Sequence, residues 1–152
     1  MKALELKFPP AVILLFCLGL AYTLSHFFIV IAMPSMGFAL HWYISASGVL
    51  VALAGIVAFR KAKTTLNPTT PEKSSYLVSG GIFRVTRNPM YLGMQLIIIA
   101  AIFKFGNYYG FIAAAFFNLY ITQFQIKPEE RIIERIFGDE YLHYKKKVRR
   151  WL

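Results

Sequence analysis

The chain has 152 residues, 57% of them hydrophobic and only 16% charged, where a soluble domain carries about 25% charged residues; a disordered chain and an ordinary soluble domain are both disfavoured. A net charge of +10 in so apolar a chain points to an anionic membrane leaflet rather than to nucleic acid. The lone Cys17 excludes an intrachain disulfide and a cysteine zinc cluster, and His26, His41 and His143 show no ligand spacing, so no metal site is expected.

Four apolar stretches follow in chain order, at 8–33, 42–59, 89–103 and 108–126. A bilayer span needs about 20 apolar residues at a rise of about 1.5 Å each. The first, second and fourth stretches meet that length. The third is short, so it starts inside the preceding loop or is sheltered by its neighbours. Lipid offers no partners for free backbone groups, which makes all four helices. Pro9-Pro10 suits the opening of the first, where the backbone N–H is not needed. Lys2 and Lys7 precede this run as they would in a signal peptide. The run is too long for such a segment, however, and no small-x-small cleavage site follows.

Taking these stretches as spans puts every Lys and Arg except Lys104 on one side. Lys2 and Lys7 lie before the first. Arg60, Lys61, Lys63, Lys73, Arg84 and Arg87 lie in the loop 60–88, and the rest follow Ile126. The excess of positive charge inside predicts cytoplasmic termini and a cytoplasmic middle loop. That loop, rich in Thr, Pro, Ser and Gly, is long enough to be functional.

The tail predicts one more helix over 128–150. Pro128 sits near its first position, and Glu129 and Glu130 suit its dipole. Ile132, Ile133, Ile136 and Phe137 recur at helical spacing, and Gly138 caps or breaks the helix. Tyr141, Tyr144 and Val148 continue an apolar stripe against Lys145, Lys146 and Lys147, the pattern of an interfacial helix. The expected fold is therefore all-α. Residues 1–152 form a single domain, a polytopic membrane protein with about four transmembrane helices and a cytoplasmic C-terminal amphipathic helix.

Three places could carry chemistry. In the segment 77–93, Gly80-Gly81 frees the backbone, and Arg84, Arg87 and Asn88 converge where the third helix begins. Asn88 precedes a proline and is biased away from helix. Tyr91 and Gln95 share a helical face, and Gly93 admits another backbone or a ligand. This pattern fits a positive-inside loop with a small-residue packing site, or a ligand site. Glu129 and Glu130 either stabilise a helix dipole or hold the ammonium or ribose hydroxyls of a cationic cofactor at the same membrane depth. Asn118, Thr122 and Gln125, at i, i+4 and i+7, are interhelical glue or the lining of a substrate pocket.

These residues also carry a resemblance. Thr64-Thr65-Leu66-Asn67-Pro68, the run Arg87-Asn88-Pro89-Met90-Tyr91-Leu92-Gly93, and the ending from Pro128-Glu129-Glu130-Arg131 through Phe137-Gly138-Asp139-Glu140-Tyr141 to Val148-Arg149-Arg150-Trp151-Leu152 resemble the isoprenylcysteine carboxyl methyltransferase family and its phospholipid N-methyltransferase relatives. The matched motifs cover about 60–152, and the first two stretches match only as apolar helices. The resemblance implies an integral membrane methyltransferase that uses S-adenosylmethionine and releases S-adenosylhomocysteine. It implies cofactor binding by Arg87, Asn88, Pro89, Tyr91, Gly93, Glu129 and Glu130, with Glu130 the candidate catalytic residue. Arg84, Gln95, Asn118 and Gln125 are the candidate substrate-binding residues.

This sequence has Asn88 where many members have His, which keeps hydrogen bonding but not titration near neutrality. Gln123 and Gln125 stand where isoprenylcysteine enzymes carry Arg. The acceptor is expected to be a lipid or a small hydrophobic molecule with a carboxylate, amine or thiol. Membrane lipids are the expected partners and nucleic acid is not. The reading from a different class is a non-enzymatic membrane scaffold or assembly protein that keeps the fold.

Overall fold

The structure, a computed structural model, describes residues 4–27, 37–62 and 76–152. The far end of the first apolar stretch, 28–33, and the Thr64-to-Pro68 motif lie outside them. The described residues form helices and turns: α1 (Pro10–Phe27), α2 (Gly37–Lys61), α3 (Pro89–Phe105), α4 (Phe111–Ile121) and α5 (Lys127–Lys147). Two helical segments, Pro10–Phe27 and Ala39–Lys61, are long and apolar enough to cross a membrane by length and composition. α3 is apolar but has 17 residues.

Local sequence sets several boundaries. Pro10 is the first residue of α1, as the Pro-Pro pair predicted. Pro89 occupies the first turn of α3, and Gly106 ends that helix in the left-handed region at φ 69°, its N–H bonded to the Ile102 carbonyl at 2.9 Å. Asn107 then accepts from the Tyr109 N–H and donates to the Ser25 carbonyl, joining this turn to the end of α1.

The fourth apolar stretch is not the single α-helix that its composition suggested. A 3-10 turn, Tyr108–Gly110, leads into α4, and a π-helical turn, Thr122–Ile126, connects α4 to α5. The tail helix also differs from expectation. It bends at Gly138, whose φ of 51° suits a residue without a Cβ, and it ends at Lys147 instead of running to 150. Val148 is extended, because the carbonyls that follow it bond to another part of the chain: the Arg87 N–H reaches the Arg149 carbonyl at 3.0 Å.

Cys17 and Ala21 of α1, Ile98 and Ile102 of α3, and Ala113, Phe117 and Ile121 of α4 form the buried core. α2 lies outside it, packed on α3. Its Leu50, Leu53 and Val57 are exposed, as a helix facing lipid would have them. The α2–α3 contact depends on glycine. A Cβ on Gly93 would stand 2.5 Å from the Gly48 carbonyl oxygen and 2.8 Å from the Ala52 Cβ. Overpacking costs about 1–3 kcal/mol, so Gly93→Leu is expected to lower the melting temperature in detergent. Gly19→Leu is the control, since an added Cβ there meets nothing within 4 Å. Equal melts for the two variants would contradict this close approach.

At the other end of α3 and α4 the N-terminal segment lies against the π turn. The Leu6 N–H donates to the Phe124 carbonyl at 2.9 Å, and Gln125 Nε2 donates to the Phe8 carbonyl at 2.6 Å. The start of the chain, the loop before α3 and α5 therefore share one end of the molecule. The turn with Lys104 and Asn107 lies at the opposite end.

Candidate functional site

The loop entering α3 begins with Gly81, at φ 60°, which turns the chain into a short 3-10 helix, Gly81–Arg84. Asn88 precedes Pro89 and is held at φ −132°, off the helix. Its side chain makes no cap and points elsewhere. Asn88 Nδ2 donates to the Arg150 carbonyl at 2.9 Å, and Thr86 Oγ1 donates to the same carbonyl at 3.2 Å. The Asn88 N–H in turn donates to Thr86 Oγ1 at 3.2 Å. With the bond to the Arg149 carbonyl, the loop 86–88 is tied along the extended residues after α5.

Two acidic side chains from the first turn of α5 reach this loop and α3. The Tyr91 hydroxyl, on the first turn of α3, donates to Glu129 Oε1 at 2.5 Å. Tyr91 is buried and Glu129 partly so. Glu129 has no other hydrogen-bond partner and no cation among the described residues, so its second oxygen is open. Burial pushes the Glu129 carboxyl up to about 8; the Tyr91 bond acts against this and the neighbouring Glu130 charge adds to it.

Glu130 is buried and held by two cations. Arg87 Nη2 lies 2.9 Å from Oε1. Arg150 grips both oxygens, with Nε 3.0 Å from Oε1 and Nη2 2.7 Å from Oε2. This two-bond fork raises the Arg150 guanidinium further above its ordinary value. Two guanidiniums on one carboxylate leave the trio with one surplus positive charge. Arg87, with a side chain only 8% exposed, keeps Nε and Nη1 without a partner among the described residues.

The sequence-predicted residues thus divide. Arg87, Asn88, Tyr91, Glu129 and Glu130 come together at the junction of loop, α3 and α5. Pro89 and Gly93 face α2, where Pro89 packs against Gly55 and another backbone fills the close approach at Gly93. Of the candidate substrate residues, Arg84 is exposed on the 3-10 turn and Asn118 is partly buried on α4. Gln95 Nε2 donates to the Ala114 carbonyl at 3.2 Å, with Oε1 buried and unpartnered. Gln125 is wholly buried and turned to the N-terminal segment, its Oε1 also unpartnered. Thr122 accepts from the Trp151 indole at 3.2 Å. Two of the three polar residues at i, i+4, i+7 therefore join segments.

Arg150 is the residue that sequence reading missed. By sequence it is one more base at the end of the expected interfacial helix, yet its side chain holds Glu130 and its carbonyl holds Thr86 and Asn88. The available signal was its place in the Val148-to-Leu152 ending, since a residue among lipid-contacting charges needs no fixed neighbours.

The stripe of Tyr141, Tyr144 and Val148 also faces this region. Tyr141 and Val148 are buried, and the Tyr144 hydroxyl donates to the Phe83 carbonyl at 2.7 Å. Burial raises the phenol pKa of both tyrosines.

Comparison with known proteins gives matches to parts of this chain. An uncharacterized protein of Haemophilus influenzae is 49% identical over 63 residues, 41% of this chain and all of that protein. The protein-S-isoprenylcysteine O-methyltransferase of Schizosaccharomyces pombe is 33% identical over 79 residues, half of this chain and 32% of that enzyme. Protein-S-isoprenylcysteine O-methyltransferase A of Arabidopsis thaliana is 25% identical over 122 residues, 74% of this chain and 60% of the enzyme. The chain thus spans less than two thirds of either named enzyme. No solved structure matches. The family model for phospholipid methyltransferase matches residues 36–140, which contain the loop, α3 and the acidic pair, and the chain belongs to the phospholipid methyltransferase family.

Proposed function

We propose that this chain is a multi-pass membrane methyltransferase that uses S-adenosylmethionine and passes the methyl group to a lipid-like or small hydrophobic acceptor, with both termini on the cytoplasmic side. The observation that carries the reading is the pair Tyr91–Glu129. It offers a carboxylate with an open oxygen and no cation of its own, beside an aromatic ring, within a chain of this family. Such a pair suits a cationic ligand, by charge and by the face of the ring.

S-adenosylmethionine, when bound, supplies a methyl group on a positively charged sulfur. The residues here would hold it as follows. Glu129 would accept from hydroxyl donors or lie beside the cationic sulfur, and Tyr91 orients that carboxyl group. Asn88 and Pro89 set the loop, and Gly93 lets α3 lie close to α2. Glu130, the candidate catalytic residue, has both oxygens taken by arginine. Its proposed contact to ligand is therefore confined to the remaining acceptor position on Oε2. Methyl transfer is an in-line displacement, so the protein's work is positioning and exclusion of water. Gln95, Asn118, Gln125 and Arg84 are the proposed acceptor contacts.

Calorimetric titration of the detergent-solubilised protein with S-adenosylhomocysteine tests the reading. Saturable binding at a ratio of one per chain is the expected result. No heat and no protection from thermal unfolding would favour a membrane scaffold that retains the family fold.

A further inference from the structure

Beside Glu130 lies an open chamber of about 270 Å³. It shares Glu130 and Arg150 with the site above. Lys127, Glu130, Arg131 and Glu134 line it at i, i+3, i+4 and i+7, one face of α5 with alternating sign. Its other walls supply Lys145 and, from the N-terminal segment, Glu5.

The charges are paired with two openings: Lys127 meets no carboxylate, and Glu134 gives Lys145 only Oε2, so its Oε1 has no partner among the described residues. Glu5 pairs with Arg131 at 2.5 Å, Glu134 with Lys145 at 3.0 Å, and Glu130 with Arg150 at 2.7 Å. Lys127 donates only to the neutral amide of Gln123, at 2.7 Å, and has no carboxylate among the described residues. A simple anion entering here would meet three carboxylates, and a simple cation would meet a surplus of positive charge. A small group carrying both signs finds partners for each.

We infer that this chamber is the subsite for the zwitterionic α-amino-acid end of the cofactor, with Lys127 the partner of its carboxylate and Glu134 of its ammonium. The inference rests on the proposed use of S-adenosylmethionine and adds residues that the family resemblance did not assign.

The test is calorimetry on the full chain with two ligands, S-adenosylhomocysteine and methylthioadenosine, which keeps the nucleoside and thioether but lacks the amino-acid end. The native protein should prefer S-adenosylhomocysteine by roughly tenfold or more, the value of one charge-assisted hydrogen bond. Lys127→Met and Glu134→Gln should each weaken S-adenosylhomocysteine by about tenfold and leave methylthioadenosine unchanged, with native-like melting curves. Lys127 is exposed and Glu134 about 40% exposed, so both variants should fold. Equal native affinity for the two ligands overturns the subsite alone. So do variants that bind S-adenosylhomocysteine like the native protein, or that weaken both ligands alike. Failure of the native protein to bind either ligand overturns the cofactor reading and the subsite with it.

Discussion

Glu130→Ala is expected to lower the melting temperature by roughly 6–20 °C. The carboxylate it removes is buried and is the shared partner of Arg87 and Arg150. Breaking a buried ion pair by deleting one member costs about 3–5 kcal/mol, because the other charge stays behind without compensation. For a chain of this size each kcal/mol moves the melting temperature by about 2–4 °C. Arg87 suffers most, since two of its nitrogens already lack partners. Arg150→Met should cost less, as its side chain is 31% exposed and can reach water. The two substitutions should combine non-additively, by about 0.5–3 kcal/mol, as residues in one network do. Thermal melts of the four proteins in one detergent measure this. A melting temperature for Glu130→Ala within a degree or two of the native value would make Glu130 a solvated helix-terminal acid and nothing more.

The second large effect is a pH dependence centred on Glu129. Its carboxyl is raised from 4.5 to about 8, chiefly by burial. Because the folded value lies above the unfolded one, this group's contribution to stability is fully present below pH 4.5 and is lost as pH rises through about 8. The empty protein should therefore melt lower at pH 9 than at pH 6. Ligand binding should run the opposite way. A cation beside Glu129 favours the ionised form, so affinity for S-adenosylmethionine should rise with pH, by up to about tenfold per unit below 8. Between pH 6 and 8 the gain should be on the order of 10- to 100-fold, with proton release on binding. Glu129→Gln should flatten both profiles, and S-adenosylhomocysteine, whose sulfur is uncharged, should show a shallower slope. Calorimetry in buffers of different ionisation enthalpy reads affinity and proton release together. Identical slopes for Glu129→Gln and the native protein would remove Glu129 from the cation's surroundings.

Sequence made the helices legible where one local signal decided the matter. Apolar length marked α1 and α2, and Pro10 and Pro89 marked starts. Spacing also made Tyr91 and the acidic pair visible as candidates, and the structure joins Tyr91 to Glu129. What stayed hidden depended on partners far along the chain. Helical periodicity through Val148 gave no reason to end α5 at Lys147. That ending is set by bonds to Thr86, Arg87 and Asn88, more than sixty residues earlier. Arg150 was hidden for the same reason, since a base in a basic run does not announce a buried carboxylate partner. Gly93 was ambiguous between ligand and backbone because both need the same missing Cβ. Only the position of Gly48 distinguishes them.

The π turn at Thr122–Ile126 ties the chemistry to a count of residues. Such a turn takes in an extra residue relative to an α-helical turn, and one residue corresponds to about 100° of rotation about the helix axis. The turn absorbs that residue, so α5 keeps its place on α4 while the numbering moves on by one. In this arrangement Glu129 meets Tyr91 while Glu130 meets Arg87 and Arg150. If the same residues wound as ordinary α-helix, with none lost, both carboxylates would turn by about 100° away from these partners. The width of one helical turn, and no charged group, therefore sets which face of α5 meets the loop.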